Sequence, residues 1–185
     1  VLPNPVSADY GVLRDLLMPQ LAGSLGRNAS RQVESAALFE MGRVFLLGAD
    51  NVPAEEEHVA LGMMGPWGRS ALDRRRAVTR EEAMLWLKGA VEKLAAAMCA
   101  GAISMRPAEH PAMEPGWCVE IMLGGEKVGE MGLLSAALRH QWRMSGPMPL
   151  AELRTAPLLA GFGRRREVRP VPQYPAVRRD IAFVA

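Results

Sequence analysis

Apolar and polar positions alternate along several short stretches of the chain, and this two-residue period is typical of β-strands. Residues 33–47 are the longest such stretch, and apolar side chains fall on both of its sides. One side carries Phe39, Met41 and Phe45, and the other carries Leu38, Val44 and Leu46. A strand that is apolar on both sides is typical of the centre of a covered sheet. We therefore predict that residues 33–47 form a central strand, with residues 58–64 as its neighbour.

Two stretches change to the three-to-four-residue spacing that is typical of helices. Residues 19–31 begin with a proline, which fits a first helical position, and carry Leu21 and Leu25 as a thin apolar stripe. From Thr79 the sequence Thr-Arg-Glu-Glu matches a capping box, in which two side chains bond to free amides at the start of a helix. We predict that Gly101 ends this second helix, because glycine readily takes the left-handed conformation found after helices.

Residues 117–123 alternate again, and the Gly-Gly pair that follows them is a two-residue hairpin signal. Residues 127–133 are expected to be the return strand of this hairpin. A short helix is predicted at 135–142 and a further strand at 147–153. Hairpins interspersed with helices predict an α+β fold, in which an antiparallel sheet is flanked by helices.

Composition narrows the class of protein without identifying a chemistry. Of the 185 residues, 49% are hydrophobic and 23% are charged, as in ordinary globular proteins. The formal net charge of +2 is too small to indicate nucleic-acid binding from charge alone. Cys99 and Cys118 lack the spacing of a metal or redox pair, which fits a reducing cytoplasm. No apolar run approaches the roughly 20 residues of a membrane span.

The sequence shows no catalytic constellation. His58, His110 and His140 are not spaced to share a metal with one another or with a cysteine, and no Gly-x-Ser-x-Gly elbow supports a serine nucleophile. The glycines between 124 and 132 belong to the predicted hairpin, whereas a phosphate loop would open a helix. We therefore predict no catalytic, cofactor-binding or metal-binding residue in this chain.

Two arginine clusters could contact RNA phosphates, although a solvated loop is the alternative for both. The first cluster is residues 74–76. The second consists of Arg164, Arg165, Arg166 and Arg169. Neither cluster contains the interleaved aromatic residues that would stack bases.

Five segments of the chain, taken in order, resemble one known family, the beta subunits of bacterial phenylalanyl-tRNA synthetases. Residues 38–45 read LFEMGRVF where the family has LFEIGRVF, and residues 174–182 read YPAVRRDIA where it has FPAVRRDLA. The other three segments are residues 4–21, residues 87–92, and the stretch from His110 through the glycine hairpin. Each match is short, but five in register cover nearly the whole chain and together favour this family.

The resemblance implies a class II aminoacyl-tRNA synthetase-like core at residues 1–165. It also implies that residues 166–185 are a linker and a first strand leading to an anticodon-binding domain. In this family the beta core is a catalytically silent copy of the alpha-subunit core, which binds ATP and magnesium and joins phenylalanine to its tRNA. The implied partners are therefore the alpha subunit, in a cytoplasmic alpha2-beta2 heterotetramer, and the tRNA of phenylalanine.

The resemblance further implies a subunit contact through the helix at residues 19–31. Leu17, Leu21 and Leu25 would then bury against a partner, or they would instead cover the chain's own sheet. Two other functions stay open from the sequence. One is an RNA-binding module that uses residues 164–169, and the other is an independent enzyme related to biotin and lipoate ligases.

Overall fold

The computed structural model of the protein describes residues 11–48, 52–67 and 76–163. The helices are α1 (Met18–Ser30), α2 (Arg80–Ala97), α3 (Ala136–His140) and α4 (Thr155–Leu159). The strands are β1 (Ala36–Leu47), β2 (Pro53–Met64), β3 (Ile103–Ala108), β4 (Met113–Leu123), β5 (Glu126–Leu134) and β6 (Pro149–Arg154). None of these described helices is long and apolar enough to cross a membrane.

All six strands join one antiparallel sheet in the order β1-β2-β6-β5-β4-β3. The predicted hairpin joins β4 to β5, and Gly124 and Gly125 have the positive φ angles, 59° and 88°, that its two-residue turn requires. β1 and β2 form a second hairpin, paired along its whole length. The α+β architecture is therefore confirmed, whereas β3 and α4 were not predicted from the sequence pattern.

Helices cover the sheet on both faces. α1 lies over β1, β2 and β6 on one side, the α1 face, and α2 lies over β2, β5 and β6 on the opposite side, the α2 face. The buried cluster on the α1 face includes Leu21, Leu25, Val44 and Leu150. The cluster on the α2 face includes Val59, Leu87, Val91 and Leu153. β6 contributes to both clusters because successive side chains of a strand point to opposite faces.

β1 is an edge strand of the sheet, so the prediction of a central strand at residues 33–47 is wrong. Its even-numbered residues, such as Val44, point to the α1 face and are covered. Its odd-numbered residues point to the α2 face, which α2 does not cover at this edge, and Phe39 is 73% exposed and Met41 63% exposed. The two-sided apolar pattern therefore belongs to a strand with one buried and one open face.

The segment before α1 protects part of the β1 edge. The Phe45 N–H donates to the Arg14 carbonyl oxygen at 2.8 Å, and Arg14 Nε donates to the Arg43 carbonyl oxygen at 2.9 Å. Arg14 Nη1 also donates to Glu40 Oε1 at 2.6 Å. An edge strand exposes unpaired backbone groups, and Arg14 occupies those of residues 43–45. Within the described residues, no hydrogen bond reaches the outward backbone groups of residues 37, 39 and 41.

α2 begins where the capping box predicts. Thr79 is the N-cap residue, and its hydroxyl accepts the Glu82 N–H at 3.2 Å. In return, Glu82 Oε2 accepts the Thr79 N–H at 3.1 Å. Both bonds satisfy amides that have no partner within the helix, so the local sequence alone fixes this boundary.

Three helices end in a Schellman motif whose left-handed residue is not glycine. Gln32, Cys99 and Arg143 have φ angles of 62°, 53° and 55° and follow α1, α2 and α3. At each of these helix ends, the N–H groups of the left-handed residue and of the residue after it donate to carbonyl oxygens of the last helical turn, which is the pair of hydrogen bonds that defines the motif. α2 therefore ends at Ala97 with Cys99 in the left-handed position, and the prediction that Gly101 ends it is wrong.

Glycine at these positions is expected to stabilise the fold. A left-handed conformation costs an L-residue roughly 1–2 kcal/mol, and the greater freedom of glycine in the unfolded chain offsets part of the gain. We expect Gln32→Gly and Arg143→Gly each to raise the free energy of unfolding by about 0.5 kcal/mol in urea denaturation. Arg31→Gly is the matched control, because Arg31 has a φ of −93°, and it should lower stability instead. A gain from Arg31→Gly would contradict the strain argument.

Candidate functional site

A buried pair of hydrogen-bonded polar side chains lies near the middle of the sheet on the α1 face. His58 on β2 and Glu152 on β6 are 8% and 4% exposed, and His58 Nδ1 lies 2.7 Å from Glu152 Oε1. The β2–β6 register places Ala60 opposite Glu152, so His58 reaches the carboxylate diagonally past a small side chain. Burial of a carboxylate is costly without hydrogen-bond donors, and the imidazole supplies one.

Glu152 also caps the N-terminus of α1. Its Oε2 accepts the backbone N–H groups of Leu17 and Met18, each at 2.9 Å. The N-cap residue of α1 is Leu17, which makes no side-chain cap, so a carboxylate from β6 performs the role that Ser or Asp usually has there. The negative charge also lies at the positive end of the helix dipole. One side chain therefore fastens α1 to the sheet.

A cavity of about 210 Å³ opens beside this pair. Its ionisable lining consists of His58, Lys127, Glu130, Glu152 and Arg154. Lys127 bonds to Glu130, and this hydrogen bond raises the pKa of the lysine, so its ammonium group stays charged at neutral pH. Arg154 Nη2 donates to the Lys127 carbonyl oxygen at 2.6 Å. A charged ammonium lacks the lone pair that a nucleophile or a general base needs.

A second buried charge cluster fastens the loop after α3. Arg139 is 6% exposed and donates to the carbonyl oxygens of Leu134 at 2.9 Å and Gly146 at 2.6 Å. Its Nη2 donates to Glu114 Oε1. Arg80, at the start of α2, donates to Glu114 Oε2 at 2.6 Å. A cavity of about 750 Å³ lies beside this cluster, but the Arg139 guanidinium is bonded to the protein itself.

Across residues 11–48, 52–67 and 76–163, the buried polar side chains bond within the fold. They are His58, Glu114, Arg139, Glu152 and Thr155. Thr155, for example, donates its hydroxyl to the Glu57 carbonyl oxygen at 2.8 Å. In the same ranges no group of three or more His, Cys, Asp or Glu side chains is placed to hold a metal ion. These buried polar groups therefore stabilise the fold. The expected lack of a catalytic or cofactor-binding site stays a prediction.

The three leucines named as subunit contacts lie inside the protein. Leu17 and Leu25 are 0% exposed and Leu21 is 3% exposed, and all three pack against the sheet on the α1 face. Of the two alternatives, the structure shows the one in which these leucines cover the chain's own sheet. A contact between α1 and a partner subunit stays a prediction, and it would use the other side of the helix.

The second arginine cluster and the predicted domain boundary lie outside the described residues. Arg164, Arg165, Arg166 and Arg169 belong to it, so their contact with RNA stays a prediction. The boundary at residue 165 and the segment 166–185 are likewise untested. In the first cluster Arg76 is described, and its guanidinium lies 2.7 Å from the Glu82 carboxylate.

Exposed apolar side chains line the uncovered side of β1. Phe39, Met41 and Leu47 are 73%, 63% and 72% exposed. Arg43, whose guanidinium bonds to Glu55 at 3.0 Å, lies on the same side and separates Met41 from Leu47. Neighbouring exposed apolar side chains, here Phe39 and Met41, often mark protein–protein contacts. The sequence carries this signal as apolar residues on both sides of one strand, a pattern that does not distinguish an open face from a covered one.

The protein is similar in sequence to one family. A model of the phenylalanyl-tRNA synthetase beta chain CLM domain matches residues 1–155. The phenylalanine–tRNA ligase beta subunit of Symbiobacterium thermophilum is 33% identical over 187 residues, which are 99% of this chain and 20% of that protein. Those of Xanthomonas axonopodis and Geobacillus kaustophilus are 34% and 32% identical, over 99% of this chain and 23% and 22% of their own lengths. The chain thus spans about a fifth of the curated relatives it matches.

The fold is similar to that of a solved class II synthetase. A pyrrolysyl-tRNA synthetase from Desulfitobacterium hafniense superposes with a TM-score of 0.58 over 79% of this chain and 48% of that chain. The sequence identity is 18%, so this likeness concerns the fold alone. An α+β core with an antiparallel sheet, as the sequence predicts, is common to both.

Loss of the Glu152 carboxylate is expected to destabilise the protein strongly. Glu152→Ala removes the cap of α1 and leaves the buried Nδ1 of His58 without its partner, which should lower the free energy of unfolding by about 3 kcal/mol. Glu152→Gln keeps one acceptor oxygen and should cost about half as much. Urea denaturation followed by circular dichroism measures both.

Glu130→Gln is the matched control for these variants. Glu130 lies opposite Glu152 on β5, but its carboxylate bonds to the partly exposed Lys127. Such a pair contributes about 0–1 kcal/mol, so the control should unfold near the wild-type urea concentration. If Glu152→Ala unfolds together with Glu130→Gln, the capping role assigned to Glu152 is contradicted.

Proposed function

The chain belongs to the phenylalanyl-tRNA synthetase beta chain family, and from this premise we propose that it is the non-catalytic, class II-like core of a beta subunit. Its role is to hold the catalytic alpha subunit, which attaches phenylalanine to its tRNA in an ATP-dependent reaction. The family match over residues 1–155 is the observation that carries this proposal. The similarity in fold to a synthetase core supports it.

The structural use of the buried charges supports a silent core. A catalytic acid or base must come within hydrogen-bond reach of a substrate. Both carboxylate oxygens of Glu152 are occupied, one by His58 and the other by the amides at the start of α1. Arg139, which could otherwise bind a phosphate, is bonded to backbone carbonyls and to Glu114. These groups therefore already form hydrogen bonds within the protein, and a substrate would have to displace those bonds.

We propose accordingly that ATP, magnesium and phenylalanine bind to the alpha subunit and not to this chain. The tRNA is bound by the whole enzyme, an alpha2-beta2 heterotetramer. Because this chain spans 20–23% of its curated relatives, most of the beta subunit lies elsewhere and can contribute its own tRNA contacts.

The proposal is tested by charge removal in the assembled enzyme. Lys127→Ala and Arg154→Ala alter the accessible cations of the 210 Å³ cavity without touching the buried pair. Because the core takes no part in the chemistry, we expect phenylalanine-dependent ATP–pyrophosphate exchange to stay within about twofold of wild type. A fall of about 100-fold or more in kcat, with the subunits still assembled, would assign chemistry to this chain.

Two further measurements test the same proposal. The beta subunit alone, given ATP and phenylalanine, should show no pyrophosphate exchange, and exchange above background would contradict the silent core. The beta subunit should also co-purify with the alpha subunit. Failure of the two wild-type subunits to associate would contradict the scaffolding role.

A further inference from the structure

We propose that the open edge of β1, residues 36–41, pairs with a β-strand of the catalytic alpha subunit, so that the sheet continues from one subunit into the other. This inference rests on the proposed function, because it takes the alpha subunit as the partner. Three features of the edge support it: the direction of its backbone groups, the exposure of its side chains, and the Arg14 segment, which limits the strands that can pair beside it.

Backbone groups of alternate β1 residues point away from the sheet. The Arg43 carbonyl and the Phe45 N–H bond to Arg14, so the odd-numbered residues occupy the non-hydrogen-bonded positions of the β1–β2 ladder. By the same alternation, residues 37, 39 and 41 direct their N–H and C=O groups outward. Within the described part of the chain no hydrogen bond reaches these groups, so they can pair with one added strand.

Side chains of the same residues are apolar and open to solvent. Phe39 and Met41 are 73% and 63% exposed, whereas the residues opposite them on β2, Leu61 and Val59, pack in the cluster beneath α2. α2 therefore covers the sheet only as far as β2 and leaves the edge strand β1 uncovered. A strand added beside β1 would bury Phe39 and Met41 between its own side chains and the flank of α2.

A second copy of this chain fits the edge poorly. Symmetric antiparallel pairing centred on Phe39 would bring residue 43 of one copy opposite residue 35 of the other. The Arg14 segment already occupies the edge at residues 43–45. The Arg14 segment of one copy would collide with the segment that leads into β1 of the second copy. The added strand must therefore come from a chain that has no such segment beside it.

The chemistry of the edge favours an obligate subunit contact over a contact with another domain of the same polypeptide. Contacts between domains of one chain are comparatively polar, whereas obligate subunit interfaces resemble a protein core. Phe39 and Met41 are large and uncharged, and the intervening Glu40 points to the other face, where it bonds to Arg14 at 2.6 Å. The alpha subunit is the obligate partner that the proposed function supplies.

The first test removes the apolar side chains in the full beta subunit. Phe39→Thr combined with Met41→Thr keeps a strand-forming residue at both positions. We expect the affinity for the alpha subunit to fall about tenfold or more, measured by isothermal titration calorimetry. Leu85→Gln is the matched control, because Leu85 is as exposed as Met41, at 63%, but belongs to α2 and not to β1, and it should bind like wild type. Equal affinity of the double variant and this control overturns the inference.

A second variant separates strand pairing from general apolar contact. Ala37→Pro removes one outward N–H, and proline is tolerated on edge strands whose amide faces solvent. With an unchanged melting temperature, a fall of about fivefold in affinity supports pairing through the backbone. Unchanged affinity overturns it. If Ala37→Pro does not fold, the threonine variant decides alone.

A photoreactive amino acid in place of Phe39 identifies the occupant in the assembled enzyme. We expect the crosslinked peptide to come from the alpha subunit. A crosslink to the beta subunit, within one chain or between two, overturns the assignment while leaving the proposed function intact. Failure of the wild-type subunits to associate is a different result, because it removes the proposed function itself.

Discussion

The carboxylate of Glu152 bonds on one side to the ring of His58 on β2 and on the other to two amides at the start of α1. It joins a central strand, its neighbour and a helix that lies 135 residues earlier in the chain. The helix cannot cap itself, because Leu17 stands where a polar side chain would be needed. This contact and the burial of Leu17, Leu21 and Leu25 against the sheet together hold α1 over the α1 face.

Fixing α1 in this way leaves the two faces of the sheet unequal. On the α1 face the helix reaches β1, and Arg14 extends the cover to the strand's edge. On the α2 face the cover ends at β2, so Phe39 and Met41 stay open. The buried charges that bond within the fold and the apolar surface that is open at one edge both support the proposed scaffolding role.

Local signals in the sequence predicted local structure well. The capping box at Thr79 and the glycine turn between β4 and β5 each act over a few residues, so their consequences can be read from a short window. The position of β1 in the sheet could not be read in this way, because an apolar side looks the same whether a helix or a partner covers it. The same holds for the helix ends, where Cys99 takes a conformation for which glycine was expected.

The buried pair at the centre of the site could not be predicted from sequence patterns for the same reason. His58 and Glu152 have no motif spacing, and only the β2–β6 pairing brings them together. Leu21 and Leu25 form a stripe that fits a partner helix or the chain's own sheet equally well until the cap of α1 is known. Family resemblance supplied the class of fold, but the role of each of these side chains came from the geometry.

Hydrogen exchange of the Leu17 and Met18 amides, measured by NMR in the wild-type protein, tests the central claim most directly. If the Glu152 carboxylate fastens α1 to the sheet, both amides should be protected as strongly as those of the central strand β6. Exchange of the two amides at the rate of exposed loops, while β6 stays protected, would show that Glu152 is not engaged there and would contradict the account.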